Sequence, residues 1–262
     1  MKYCRFQTDS GPQYGEIVDR NGRLWIERLL PPPEEDAWTK LAAAFTPLPL
    51  DQATLLPPVV PSKILCIGRN YKEHAAELGN EVPKEPLLFL KTPSSLIAHK
   101  QAIHKPAISQ RVDFEGELAI VIGKKCSKIG PDEDVRSYIR GYTIVNDVTA
   151  RDLQKTDGQW SRAKGFDTFC PTGPLVTDEI DPDAGTQVQT HLNGELRQDG
   201  TTRDLIFPIA FLLRHITAAI TLYPGDLIPT GTPSGVGPMQ PGDTVEVTIG
   251  GIGTLSNPVI VG

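Results

Sequence analysis

Glu115 and Glu117 are separated only by Gly116 in the segment 112–124, which reads VDFEGELAIVIGK. The segment is short, rich in β-branched residues and closed by Gly123, a strand signature. Side chains alternate faces along a strand, so the two carboxylates aim the same way. Like charges on one face repel unless protons or a cation neutralise them. A hard divalent ion such as Mg²⁺ takes oxygen ligands and only a few carboxylates, which suits such a pair. A solvated outer face has the same spacing, but Ala119 and Val121 continue the glutamates' face, which therefore turns apolar at once. A second strand candidate, 141–148 (GYTIVNDV), ends in Asn146-Asp147, where a third carboxylate can converge. Three carboxylates at strand ends would form an octahedral Mg²⁺ or Mn²⁺ site, with water or substrate completing the shell.

Three further segments carry chemistry. Residues 71–77 read YKEHAAE, and on a helix His74 and Glu77 share a face. A carboxylate beside imidazole fixes its tautomer and raises its basicity, giving a general base for water. A surface helix with an ordinary His and Glu has the same spacing. Residues 161–171 read SRAKGFDTFCP, placing Lys164 in a loop with glycine and aromatic residues. Buried near an anionic intermediate, that ammonium could stabilise oxyanion or enolate charge, although lysine is usually a solvated surface residue. Residues 229–238 (PTGTPSGVGP) lack the GK[ST] of a phosphate-binding loop. They form a rigid loop whose backbone N–H groups and Thr232 hydroxyl can meet a carboxylate, or simply a multiple turn. His99, His104, His191 and His215 have no such company and read as structural or exposed.

The elements that must position these residues follow from pattern and punctuation. In a chain of 262 residues, 39% hydrophobic and 22% charged, a sizeable core can form. Gly and Pro each occur 24 times without low-complexity repeats, which favours strands, turns and ordered loops over a helical bundle. Segments 14–19 and 23–29 alternate around Asn21-Gly22, a hairpin signal. A short helix is expected over 34–45 and an extended Pro-rich linker over 47–61. Strands are expected at 63–68, 87–91 and 99–103, helices at 71–78, 132–140 and 206–222, and a terminal hairpin over 244–255. A small N-terminal domain (1–60) thus precedes the main domain (61–262).

Composition also excludes. A net charge of −6 without a Lys/Arg cluster leaves no footprint for nucleic acid. Four scattered cysteines with no Cys-x-x-Cys argue against zinc, redox or disulfide frameworks. The start MKYCRFQTDSGP has no apolar signal core, and no apolar run is long enough to span a membrane, so a cytoplasmic protein is expected.

In order, the chain carries GRNYKEH (68–74), VDFEGELAIVIGK (112–124), GYTIVNDVTARDLQ (141–154), AKGFDTFCPTGP (163–174), PGDLIPTGTPSGVGP (224–238) and GIGTLSNPV (251–259). Together they resemble the fumarylacetoacetate hydrolase family over 62–262, and the first sixty residues resemble the small variable domain of its shorter members. The resemblance implies a mixed α+β, β-rich fold with a rolled, barrel-like catalytic sheet, usually in a homodimer. It implies Mg²⁺ or Mn²⁺ on Glu115, Glu117 and Asp147, and a water-activating His74–Glu77 dyad on a mobile segment. Lys164 matches the lysine facing the substrate oxyanion, and Arg151, Gln154 and Thr232 match substrate-side positions. The activity implied is metal-dependent hydrolysis of a carbon–carbon bond in a 3-acylpyruvate-type 2,4-dioxo acid, through a pyruvate enolate. The alternatives are oxaloacetate decarboxylation, oxaloacetate keto–enol tautomerisation or hydroxymuconate-type isomerisation at the same site. A further alternative is a non-catalytic 2-oxo acid binding protein.

Overall fold

The computed structural model describes residues 1–32, 44–77, 79 and 81–262. The helix expected over 34–45 falls almost wholly outside the described residues.

Alternating apolar residues open the chain as three antiparallel strands, β1 (Lys2–Thr8), β2 (Gly11–Arg20) and β3 (Arg23–Leu30). Asn21 and Gly22 form the β2–β3 turn with φ of 56° and 83°, the positive values that a two-residue hairpin requires. The Pro-rich stretch adds β4 (Leu48–Pro49) against β3 and β5 (Leu55–Leu56) against β1. Next come β6 (Ile64–Gly68), α1 (Lys72–Glu77), β7 (Leu87–Lys91), β8 (Leu96–Ile97) and β9 (Ile103–Lys105). The central stretch holds β10 (Val112–Phe114), β11 (Gly116–Ile122), β12 (Ile139–Asn146), β13 (Thr149–Ala150), α2 (Arg151–Thr156), α3 (Ser161–Gly165) and β14 (Cys170–Thr177). The chain closes with β15 (Gln187–Leu192), β16 (Glu195–Thr201), α4 (Ile209–Thr217), β17 (Leu227–Pro229), β18 (Gly237–Met239), β19 (Thr244–Ile249) and β20 (Gly253–Val261).

The largest sheet runs β4-β3-β2-β1-β14-β12-β11-β17-β6-β7, with β5 on β1 and β8 on β14. A second sheet is β16-β15-β19-β20-β9 and a third is β13-β10-β18. The protein is β-rich and mixed α+β, as expected; among the described residues the sheets are mixed and open rather than a closed barrel. The β1–β14 pairing, Lys2↔Thr177 and Tyr3↔Val176, carries the N-terminal strands into the main sheet.

β11 is buried along its whole length. Leu118, Ile120 and Ile122 on one face pack with Val188, Val247, Ile249, Leu255 and the α4 residues Leu212, Leu213 and Ile216. Ala119 and Val121 on the other face pack with Ile64, Cys66 and Val145. Each large aliphatic side chain so buried contributes about 1.5–3 kcal/mol. The four cysteines are free and buried, and burial pushes the Cys170 thiol up to about 11.

Some local expectations give way to tertiary pairing. The helix expected over 132–140 is only a 3₁₀ turn, Val135–Tyr138, because Ile139 enters the β12 ladder opposite Ile122. The strand expected at 99–103 begins at Ile103, after a turn with Lys100 at φ 68°. The helix expected over 206–222 is confined to α4, which starts after Pro208. Among the described residues no helix is long and apolar enough to cross a membrane.

Asp226 joins the start of β6 to the turn before β17. Fully buried, it accepts the Ser62 N–H (3.0 Å), the Ser62 hydroxyl (2.7 Å), the Lys63 N–H (3.1 Å) and the Tyr223 N–H (2.8 Å), and pairs with the Lys63 ammonium. Asp226→Ala leaves those donors and the Lys63 charge uncompensated and is expected to cost about 3–5 kcal/mol in urea unfolding. A loss below about 1 kcal/mol, the worth of a surface pair, would show that the carboxylate is not an anchor.

Candidate active site

The strand expected over 112–124 is broken at Glu115, and the break builds the site. β10 pairs with β13 and β18, whereas β11 pairs with β12 and β17. At the junction the Asn146 side chain accepts the Glu115 N–H (2.9 Å), and the Glu115 carbonyl accepts the Asp147 N–H (2.8 Å). These bonds replace the regular ladder as the chain passes between sheets, and they draw Glu115 to Asp147.

Glu115, Glu117 and Asp147 are buried, and each offers an oxygen within 4.8 Å of the others. The donors are all hard oxygens, the set that Mg²⁺ or Mn²⁺ prefers. Two ammonium groups compensate part of the charge. Lys164 donates to Glu115 Oε2 (2.8 Å) and Asp147 Oδ2 (2.6 Å), and Lys91 donates to Asp147 Oδ1 (2.7 Å). Arg151 donates to Glu115 Oε1 (2.6 Å), Asp113 Oδ2 (3.0 Å) and Gln154 Oε1 (2.8 Å).

Glu117 is different. It has no ion pair among the described residues, and its recorded hydrogen bond comes from the Gly231 N–H at 2.8 Å. Burial, then the charges of Asp147 and Glu115, push its pKa well above the usual carboxylate range. Burial also opposes the charge of Glu115, but Lys164 and Arg151 outweigh it and hold that carboxyl low. A buried carboxyl short of positive charge, beside two carboxyls that already have ammonium partners, fits a divalent cation, which would supply what Glu117 lacks.

The remaining expected residues share one cavity of about 400 Å³, lined by His74, Glu77, Glu115, Glu117, Asp147, Arg151, Gln154, Lys164 and Thr232. His74, on α1, is buried, with Nδ1 3.5 Å from Glu77 Oε2. That is longer than a hydrogen bond, and Nδ1 has no partner among the described residues. Glu77 instead accepts the Gly235 N–H at 3.1 and 3.2 Å. Lys164 lies on short α3 rather than in a loop and is buried against Phe89, 4.6 Å from the ring centroid. Thr232 donates to the Gly116 carbonyl (2.9 Å) and accepts from Gln198 (2.7 Å), so its hydroxyl proton is already used.

Sequence reasoning missed the supports. Lys91 ends an apolar strand, LLFLK, and a lysine closing such a run is a readable sign of a buried cation. Asp113, flanked by Val112 and Phe114, is the matching sign for a buried anion. Gln198 and Asn70 had no local signal. Gln198 also accepts the Gly116 N–H (2.9 Å), and Asn70 donates to the Phe207 (3.1 Å) and Thr230 (2.8 Å) carbonyls. A larger cavity of about 570 Å³ lies elsewhere; its one lining carboxylate, Asp51, is held by Arg23.

The family model described as the fumarylacetoacetate hydrolase C-terminal domain matches residues 63–260. The oxaloacetate tautomerase YisK of Bacillus subtilis is 45% identical over 213 residues, 76% of this chain and 70% of the relative. The mitochondrial oxaloacetate tautomerase Fahd2a of Rattus norvegicus is 41% identical over 231 residues, 84% of this chain and 74% of the relative. The structure of a 2-hydroxyhepta-2,4-diene-1,7-dioate isomerase from Mycobacterium marinum superposes with a TM-score of 0.88 at 40% identity, covering 100% of this chain and 98% of the other.

Mg²⁺ or Mn²⁺ is expected to raise the thermal midpoint, since a ligand at 100 times its Kd adds about 2.7 kcal/mol. Glu117→Gln should remove most of that shift. Equal shifts in wild type and variant, read by scanning fluorimetry, would place the cation elsewhere. Gly116→Ala should lose the shift and destabilise the fold by at least about 1–3 kcal/mol, because its Cβ would meet Thr190 Oγ1 at 2.2 Å.

Proposed function

The chain belongs to the fumarylacetoacetate hydrolase family, and on that premise we propose that it is a metal-dependent enzyme interconverting keto and enol forms of a 2-oxo dicarboxylate of the oxaloacetate class. The observation that carries this reading is His74, a buried imidazole that lines the same cavity as the carboxylate cluster with no hydrogen bond at Nδ1. Burial is the main cause that lowers its pKa below the ordinary 6.5, helped by Arg151 and Lys164 against the pull of Glu115 and Glu77. The ring is therefore neutral at neutral pH and able to accept a proton.

Held by Glu115, Glu117 and Asp147, Mg²⁺ or Mn²⁺ would supply Lewis acidity toward a 2-oxo oxygen and so favour the enolate. The chain's own groups do the rest. Lys164 keeps its charge, because Asp147 and Glu115 outweigh the effect of burial, and it adds positive potential where enolate charge develops. Arg151 has N–H donors beyond those given to Asp113, Glu115 and Gln154, and with the Gln154 amide N–H it would orient the substrate carboxylate, whereas Thr232, its proton committed to the Gly116 carbonyl, only shapes the wall. His74 takes a proton from the carbon beside the oxo group. Return of that proton from the His74 imidazolium to the enolate oxygen gives the enol, and the reverse sequence restores the ketone. The names of the tautomerase and isomerase relatives support the same chemistry.

Hydrolysis of a 3-acylpyruvate is the second reading, favoured by the approach of His74 and Glu77. It ranks second because the gap is 3.5 Å and Glu77 is held by Gly235, so the carboxylate does not yet orient the ring. Decarboxylation would instead break the bond to the distal carboxylate, release CO₂ and leave a pyruvate enolate, which protonation converts to pyruvate.

The test follows enol absorbance of oxaloacetate with protein and Mg²⁺ or Mn²⁺, with pyruvate assayed in parallel. Loss of enol without pyruvate is expected, and pyruvate release from an acylpyruvate would move hydrolysis to first place. His74→Ala is expected to lower turnover about 10²–10⁴-fold; unchanged turnover sinks the assignment. Because His74 has a depressed pKa, the base is present above that pKa and is lost as pH falls through it. The acid limb of kcat/KM is therefore expected below pH 6.5, and a bound cation moves it further the same way. A limb above 6.5 would contradict the neutral-imidazole role.

A further inference from the structure

The cavity also carries cations that the enolate chemistry does not use. Arg69, Arg111, Arg151, Lys155 and Lys164 all line it. Arg151 and Lys164 are committed to the buried carboxylates, and Arg111 is clamped on Asp113 at 2.8 and 3.1 Å. Arg69 and Lys155 have no ion pair or side-chain hydrogen bond among the described residues. Lys155 is exposed, whereas Arg69 is half-buried.

Arg69 is held by its surroundings. It follows β6 with φ 55°, a left-handed conformation that costs a non-glycine residue free energy and persists only where neighbours impose it. Its guanidinium lies 5.8 Å from the centroid of the Trp160 ring, and the Lys164 ammonium lies 5.9 Å from the same centroid. Phe89 packs edge-on against that ring at 5.4 Å. Gly68 admits the indole, since a Cβ there would meet Trp160 Cζ3 at 2.9 Å. The aromatic wall thus touches the cation beside the carboxylate cluster and a second cation with no anion of its own. A planar guanidinium matches the two oxygens of a carboxylate or a phosphate with a pair of parallel N–H donors, and a carboxylate is the group that a 2-oxo diacid brings.

We propose that Arg69 receives the distal carboxylate of the substrate and so selects dicarboxylic over monocarboxylic 2-oxo acids. The inference rests on the keto–enol reading of this cavity and names the group that reading leaves unassigned. The proximal carboxylate and oxo group occupy the Lys164 end, and the chain of the substrate runs along the Trp160 ring to Arg69. A cavity of about 400 Å³ holds a small diacid with water.

The test compares oxaloacetate with 2-oxobutanoate, which carries a terminal methyl in place of the distal carboxylate. Their affinities are measured by titration calorimetry in Mg²⁺ buffer for wild type, Arg69→Met, Arg69→Lys and Lys155→Met, with circular dichroism as a check of folding. Wild type is expected to prefer the diacid by roughly tenfold or more. The preference should approach unity in Arg69→Met, be intermediate in Arg69→Lys and persist in Lys155→Met. Wild type without a preference, or a preference that survives Arg69→Met or vanishes in Lys155→Met, overturns the proposal. If Arg69→Met is misfolded, the Arg69→Lys and Lys155→Met ratios decide it. Binding does not depend on turnover, so failure of the enol assay with an intact preference would refute the reaction and leave the role of Arg69 standing.

Discussion

Compensation of buried negative charge is the constraint on which the rest of the site depends. Asp113, Glu115, Glu117 and Asp147 are removed from water within one region. An isolated buried carboxylate is prohibitively costly, so each needs a cation or a proton. Arg111 and Arg151 answer Asp113, Arg151 and Lys164 answer Glu115, and Lys91 and Lys164 answer Asp147. Glu117 is left with a backbone N–H, so its carboxyl needs either a proton or a cation that the described residues do not supply.

The geometry that imposes this burial comes from a chain passing between sheets. β10 and β11 are nearly continuous in sequence yet belong to different sheets, with Glu115 at the joint. Glycine makes the joint possible. Gly116 leaves room for Thr190 and Val247, while Gly231, at φ 105°, passes close to Asn70 and turns its N–H to Glu117. Gln198 and Thr232 then tie the Gly116 backbone to the loop before β18. The carboxylates are thereby held on backbone anchored in two core clusters rather than on free loops, which favours pre-organised chemistry.

Much of the site was legible locally. Period-two alternation put Glu117, Ala119 and Val121 on one face, and the structure keeps that face. The i, i+3 spacing of His74 and Glu77 put them together on α1, and the Asn-Gly turn fixed the first hairpin. What misled was also local. Acidic residues before 135–140 resemble a helix start, but Ile139 gains more from the β12 ladder. The run 112–124 resembles one strand, because an exchange of sheets leaves no mark on hydrophobic pattern. Lys91 and Asp113 could have been suspected as charges in apolar runs, whereas Gln198 and Asn70 look like ordinary hairpin and loop residues.

The sequence by itself determined the β-rich class, the trio of hard-oxygen side chains Glu115, Glu117 and Asp147, and the pairing of His74 with Glu77 on one helix face, because these follow from residue type and from periodicities of two or three to four residues. Only the tertiary structure decided that Glu117 lacks a counter-ion, that Lys91 and Lys164 share Asp147, and that the His74–Glu77 gap is 3.5 Å. Those properties depend on groups far apart in the chain, as with Lys91 and Asp147. Burial and Coulomb interaction act through space, and only the fold sets those distances.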